Sequence, residues 1–402
     1  MTKNLWITDM KKQNKFIFFT LLFMISFASV NAVLFTPALP NITSYFALTT
    51  TVGQQTITWF LIGYALGQLI YGPIANRFGR KKALYLGISI QIASSFVCVF
   101  SGTFHEYMLL VIGRFFLALG SGVGLKMTFT LVNEYYEPKL ASQKISYLML
   151  AFSITPGLGA ALGGTLNTHY GWQSCFYASA FYGLVLLLLT IRLPETKIVL
   201  DTDALKIKNL THGYSSQFRN LQLVSGGLLM GSGACFIYAF SAIAPFVAIN
   251  LFSMSSSAYG IANIIPAIGL FLGSIISVQF SKKYSHLAGI KLGILVTVTA
   301  TMLMMINIAL NLTPMLSLFL PMVFIYFGLS FIVPNASTLA LSQASDKAHG
   351  SAVMNFLNMG LATVVVLTLG FFSITKFLLP LAFIIISMMM IALQQWLIRT
   401  KT

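Results

Sequence analysis

The stretch GPIANRFGRKK at residues 72–82 recurs, without a gap, as GSIISVQFSKK at 273–283, half a chain later. Each copy closes a long apolar run and then switches abruptly to Lys and Arg. A short basic turn between two apolar runs marks a place where a chain leaves a bilayer on its cytoplasmic face. The same turn at equivalent places suggests two related halves, each built of membrane spans, an arrangement typical of transporters. It also fits the simpler rule that any short inner loop collects Lys.

Composition points the same way. Of 402 residues, 57% are hydrophobic and only 8% charged, with a mean hydropathy of +0.85. A soluble domain carries about a quarter charged residues, so this chain cannot coat a water-facing surface. Apolar runs of about 20 residues span a bilayer. They predict helices 1 to 12 over 16–38, 53–74, 83–104, 107–131, 141–165, 170–192, 220–248, 258–280, 288–310, 314–334, 350–372 and 377–398. The expected fold is an all-α membrane protein with twelve transmembrane helices in two pseudo-symmetric six-helix bundles. The bundles are expected over 1–192 and 220–402, joined by the polar linker loop 193–219.

All 24 Lys and Arg residues fall on one side of these spans except Lys376, Arg114 and Lys126. The positive-inside rule then places both termini and the linker in the cytoplasm, around a bacterial-type cytoplasmic (inner) membrane. The net charge of +16 therefore records topology and contact with anionic lipid headgroups, not a nucleic-acid partner. Cys98, Cys175 and Cys235 sit inside apolar runs and read as filler rather than a disulfide framework. The basic N-terminus leads into an apolar run too long for a signal peptide, so it is expected to stay as helix 1. No metal-ligand cluster, nucleophile elbow or carboxylate pair is present, so neither an enzyme nor a cofactor or metal is expected.

GPIANRFGRKKAL (72–84) resembles the loop 2–3 signature of the major facilitator superfamily. Gly72, Ala75, Arg77, Gly79, Arg80, Lys81 and Leu84 match it, and Asn76 stands where Asp is usual. RFFLALG (114–120) resembles the helix 4 signature through Arg114 and Gly120, with Leu117 where Gln is common. PGLGAALGG (156–164) resembles the helix 5 antiporter signature of drug-efflux members through Pro156, Gly159, Gly163 and Gly164, with Ala160 replacing its second Pro. PALP (37–40), GWQSCF (171–176), APF (244–246), VPNA (333–336) and HGSA (349–352) are similar to the Bcr/CflA-like drug-efflux branch. The resemblance implies a monomeric, alternating-access secondary transporter of a small solute, with a proton as coupling ion. It implies a gate at loop 2–3, with Asn76 reaching the N-terminus of helix 11.

The residues carry their own physics. Gly72 and Gly79 permit a tight turn. The neighbouring cations can bond helix C-termini or a carboxylate such as Glu134. Lys81 and Lys82 serve equally well as plain topology anchors. In helix 5, Gly159 and Gly163 share one face, so another backbone can approach closely, and Pro156 marks a bend. That pattern fits a hinge, a seal or simple close packing.

The stretch RFFLALGSGVGLKMTFT (114–130) superficially suggests a phosphate loop, but Leu125 and Met127 break the required spacing around Lys126. Gly120 and Gly124, one turn apart, are expected to face a neighbouring helix. Lys126 can snorkel to inner headgroups, whereas Arg114 lies deeper and calls for a cavity and a partner. No Asp or Glu falls inside any predicted span. The drug-efflux branch usually carries an Asp in helix 1 four residues before the first Pro of PALP. Here that position is Val33, with Asn31 two residues earlier, which argues against proton antiport through a helix 1 carboxylate. Arg114 with Asn31, Asn263, Asn335, Asn355 and Asn358 are the candidate solute contacts, joined by Gln54, Gln68 and Gln91. Each amide is equally suited to an interhelical hydrogen bond. Two functions stay open: efflux of drug-like compounds, from the resemblance, and movement of an anionic metabolite such as a polycarboxylate or siderophore, from Arg114. A sensor or scaffold is disfavoured by the linker, which carries no appended domain.

Overall fold

Twelve helices long and apolar enough to cross a membrane stand among the described residues of the computed structural model, which describes residues 2–197, 199–342 and 347–401. The side chains of Lys3, Lys11, Lys12, Lys139, Lys347 and Lys401, counted in the charge balance, lie outside the described residues. The spans are Lys15–Tyr45, Thr50–Phe78, Arg80–Thr103, Tyr107–Tyr135, Gln143–Tyr170, Gln173–Ile191, Leu221–Leu251, Ser256–Phe280, His286–Ala309, Met315–Leu341, His349–Leu369 and Leu378–Thr400. They match helices 1 to 12 in order. Large apolar side chains such as Phe100, Phe181 and Ile385 stay exposed on the outside, as a lipid-facing surface requires.

Local chemistry sets the breaks. Helix 1 loses its α-helical turn after Val33, passes through a tight turn at Thr36–Ala38 and resumes over Leu39–Tyr45. Pro37 and Pro40 cause this, since neither can donate a backbone N–H. Helix 4 is interrupted at Gly122 and helix 8 at Asn263. The linker, expected from its polarity to be a loop over 193–219, is not all loop. Ile207–Phe218 forms a helix that packs on helices 7 and 11. Its Leu210, Tyr214 and Phe218 recur at helical spacing, and Phe218 meets Phe356 edge-on at 6.1 Å.

The two halves meet along helices 2 and 11, along helices 5 and 8, and where the outer segments of helix 1 touch helices 7 and 8. Buried apolar residues divide unevenly between the two ends of the molecule. One cluster crosses the interface at the end away from the linker, joining Phe35, Phe60 and Leu117 to Phe240 and Phe246, and continues through the second half to Ile290 and Leu397. At the linker end, Leu21, Tyr71, Leu84, Leu131 and Leu186 form a cluster drawn from the first half alone. Apolar burial therefore holds the halves together at one end and not at the other.

Candidate functional site

Arg114 is the largest of the fully buried side chains, at 1% exposure. The break in helix 1 explains how it is held. The last carbonyls of a helix lack intrahelical donors and carry partial negative charge. Arg114 Nη1 donates to one of them, the Asn31 carbonyl, at 2.8 Å. The ring centroids of Phe35 and Phe60 lie 3.7 Å and 4.2 Å from its Cζ. Both rings stand within cation–π range of the guanidinium. Nε and Nη2 are buried with no hydrogen-bond partner. Tyr238, on helix 7 of the opposite half, lies within electrostatic range of Arg114, Tyr64 and Tyr326. The centre of the interface thus holds one cation against Phe35 and Phe60 of the first half, with Tyr238 of the second half near it. This is an aromatic box in outline, and neither of the two cavities described below includes it.

Of the amides expected beside Arg114, only Asn31 reaches it, and through its backbone. The Asn31 side chain turns away. Its Nδ2 donates to the Phe27 carbonyl at 2.7 Å, and its Oδ1 accepts from Gln91 Nε2 at 3.1 Å and from Ser179 Oγ. Gln91 Nε2 also meets Ser95 Oγ at 3.1 Å, so this knot ties helices 1, 3 and 6 together. Asn263 donates to the Tyr259 carbonyl at 2.7 Å. With Val33, Thr36, Pro156 and Tyr326 it lines a cavity of about 30 Å³ between the halves. Asn335 is elsewhere, held by His286 Nδ1 at 2.6 Å and the Phe331 carbonyl at 2.7 Å. Asn358 is buried beside Gly231, and Asn355 is half-buried on helix 11.

The loop 2–3 residues assemble at the linker end. Gly79 ends helix 2 with φ of +99°, a conformation that favours glycine. Helix 3 begins at Arg80, and Glu195 caps it, accepting the N–H groups of Arg80 at 2.9 Å and Lys81 at 3.0 Å. Partial burial pushes the Glu195 carboxyl up, but bonds from the backbone N–H groups of Lys197, Lys81, Arg80 and Thr196 outweigh it and hold the pKa below the ordinary value. The Arg80 guanidinium pairs with Glu134 and donates to Asn76 Oδ1 at 2.9 Å. Asn76 was expected to cap helix 11. Its side-chain oxygen accepts from Arg80, and the expected contact involves residues 343–346 before helix 11, which lie outside the described residues. Arg77 is half-buried and within electrostatic range of Asp203.

A cavity of about 270 Å³ opens here, lined by Gly72, Asn76, Arg80, Lys126, Tyr214 and His349 among others. Lys126 Nζ donates to the Gln68 carbonyl at 3.0 Å, and a methyl on Gly72 would come within 2.7 Å of it. The linker helix bridges the two halves across this cavity. Tyr214 Oη donates to the Leu69 carbonyl of helix 2 at 2.7 Å, while its ring meets His349 of helix 11 at 5.1 Å. Sequence reasoning missed Glu195, Tyr214 and the aromatic box. Glu195 alone left a trace, as the acid placed directly after helix 6, ahead of Asp201 and Asp203 in the linker.

The helix 5 glycines lie at the opposite end. Gly163 packs on the Leu34 carbonyl at the break of helix 1, and Gly164 faces Ser256 and Gly260 of helix 8. A Cβ on Gly159 would stand 3.0 Å from Val33 Cγ2. Pro156 borders the small interface cavity. Gly120 and Gly124 do face neighbours, namely Gly87 and Gln91 of helix 3 and Met24 and Phe27 of helix 1.

The family profile described as Major Facilitator Superfamily matches residues 20–366. The chain is 28% identical over 266 residues to an uncharacterized transporter of Rickettsia felis, covering 63% of this chain and 62% of that protein. It is 25% identical over 334 residues to Multidrug resistance protein D of Escherichia coli, covering 83% of this chain and 82% of the relative. Its fold matches the crystal structure of a D-xylose-proton symporter with a TM-score of 0.75, at 14% identity and over 93% of this chain and 96% of that one. This chain belongs to the major facilitator superfamily.

Proposed function

We propose that this major facilitator protein exports small drug-like organic solutes by alternating access, with the linker and both termini on the cytoplasmic side. The observation that carries this reading is the unequal contact between its halves. They share an apolar cluster and glycine-packed backbones at one end, and stand apart around a cavity of about 270 Å³ at the other. A carrier that opens by rocking two bundles about a central site needs that asymmetry in any one state. The basic residues at the cavity end favour the cytoplasm by the positive-inside rule, and on this reading the state described would load from inside. The resemblance to Multidrug resistance protein D over most of both chains supports an organic-solute substrate and export. On this reading, loop 2–3 with Glu134 is the cytoplasmic gate, helix 5 the outer seal, and Arg114 with its aromatic box the solute site.

A second reading, movement of an organic anion in either direction, is favoured by Arg114, which has no carboxylate partner in any span. The test is transport in proteoliposomes with and without a pH gradient, across cationic, neutral and anionic organic solutes. Accumulation of at least one class, enhanced by the gradient, supports solute transport with a proton as coupling ion. If no organic solute moves under any condition, the proposal fails.

A further inference from the structure

We infer that the cavity at the linker end is a binding site for a small organic monoanion, anchored by Lys126 and separate from Arg114. The site goes beyond the transport reading above, because filling this cavity requires no movement of solute across the membrane.

Lys126 lies in helix 4, within the span Tyr107–Tyr135, and is half-buried. An ammonium at such a place needs water, carbonyls or a counter-charge. It has three N–H donors, and one goes to the Gln68 carbonyl at 3.0 Å. No carboxylate among the described residues forms an ion pair with it. Gly72 leaves the room that the ammonium occupies, since a Cβ there would stand 2.7 Å from Nζ and 3.1 Å from Cε. Lys126 therefore borders a cavity of about 270 Å³ with donors to spare and no counter-charge. Arg80, the other Lys or Arg of the lining, is already neutralised by Glu134 at 2.8 Å.

The linker side of the lining sets how much negative charge the cavity accepts. Asp201 and Asp203 border it and are exposed. Asp203 pairs with Lys206 at 2.8 Å, and Asp201 Oδ1 accepts the Asp203 N–H at 2.9 Å. Water screens these exposed acids, whereas the Lys126 charge acts from inside an apolar span, where attraction is stronger. One negative charge is thus drawn in. A second would meet no further unpaired Lys or Arg in the lining, only the two acids.

The other walls fix the rest of the ligand. Pro73, Met127, Leu210 and Ala352 line the cavity with apolar surface, which suits a compact apolar body. A Lys ammonium is a point charge without the planar fork of Arg, so it selects for charge and not for planar over tetrahedral anions. Carboxylates and sulfonates of single charge should serve alike. Lys126 comes from the first half, Ala352 from the second and Leu210 from the linker, so one bound molecule would touch all three.

The experiment measures equilibrium binding of radiolabelled benzoate to the purified full chain at neutral pH, with benzenesulfonate, benzamide, phthalate and benzylamine as competitors. We expect benzoate to bind and benzenesulfonate to compete within about threefold, with the neutral, dianionic and cationic compounds weaker by about tenfold or more. Lys126→Met should abolish benzoate binding, and Lys126→Arg should retain part of it. Asp201→Asn should strengthen phthalate by about threefold and leave benzoate nearly unchanged, a readout that does not depend on the Lys126 variants folding. Benzoate should also slow labelling of Thr130→Cys at the cavity wall by a thiol reagent, the three native cysteines being buried. Equal affinity for benzoate and benzamide would overturn the inference, as would undiminished binding to Lys126→Met or unprotected labelling at position 130. If solutes move in proteoliposomes while benzoate does not bind, the monoanion site fails and the transporter reading stands. If benzoate binds as expected while no solute moves, the site stands and the transporter reading has failed.

Discussion

Arg80 at the start of helix 3 and Glu134 at the end of helix 4 form an ion pair, with Nη2 2.8 Å from Oε1 and Nε 3.2 Å from the same oxygen. The same guanidinium holds Asn76 of helix 2, so one buried cation fastens three helix ends beside the linker-end cavity. Asparagine in place of the family's usual Asp leaves this node with one carboxylate instead of two.

That single carboxylate is the basis of the first prediction. Glu134→Gln should leave Arg80 buried without its counter-charge and destabilise the protein by about 2 kcal/mol. Transport should fall by about tenfold. The exchange Arg80→Glu with Glu134→Arg should recover part of both, which thermal unfolding and proteoliposome flux would show. No recovery beyond the single variants would indicate that Asn76 or Glu195, rather than the pair, sets the geometry.

Gly79 tests the turn itself. Its φ of +99° is strained for any β-branched residue, and a Cβ would come 2.8 Å from Glu195 Oε2. Gly79→Val should therefore displace the cap of helix 3 and block transport while the protein still inserts in the membrane. Wild-type flux in an inserted Gly79→Val protein would remove loop 2–3 from the gate.

Helix 5 should respond in graded fashion. Gly163 abuts backbone, the Leu34 carbonyl, which cannot move aside, whereas Gly159 abuts the Val33 side chain. Gly163→Leu should part helix 5 from helix 1 and abolish or uncouple transport. Gly159→Ala should cost no more than a fewfold loss. Labelling of a single cysteine at position 36 by an outside thiol reagent would report the opening. Equal flux in wild type, Gly159→Leu and Gly163→Leu would show a face that merely touches lipid.

The Glu195 cap carries a pH dependence. Its carboxyl is held below the ordinary carboxylate pKa in the folded protein, so the folded state favours the ionised form. The cap therefore contributes fully above the unfolded pKa and is lost as pH falls through the lower, folded value. Glu195→Gln should lower thermal stability at pH 7 by about 1 kcal/mol, the usual worth of a cap. It should also flatten the acid side of the stability profile. Parallel profiles for wild type and variant would assign the acid loss to other groups.

The linker helix bonds one half through the Tyr214 hydroxyl and packs on the other through the Tyr214 ring. Tyr214→Phe keeps the ring and deletes the hydroxyl bond. We expect the linker to become several times more sensitive to limited proteolysis, with unchanged insertion. Unchanged cleavage would mean that ring packing and the Phe218 contact hold the linker alone.

The number and order of the spans, the buried position of Arg114 and the grouping of the basic loops at one end were legible in the sequence. Each depends on a local quantity, either apolar length against the thickness of a bilayer or the charge of a short loop. Helix 3, expected over 83–104, runs from Arg80 to Thr103, and helix 9, expected over 288–310, runs from His286 to Ala309. The partners were not legible. Arg114 takes the Asn31 carbonyl rather than its amide, Asn335 serves His286, and Glu195 caps a helix 115 positions away. Which side chains meet depends on how each helix is rotated and where it breaks. In a bilayer, where every face is already apolar, close packing between helices settles that rotation and hydropathy does not. The aromatic box follows the same rule: Phe35 and Phe60 look like ordinary core residues until the break at Pro37 and the approach of helix 2 bring them against one guanidinium.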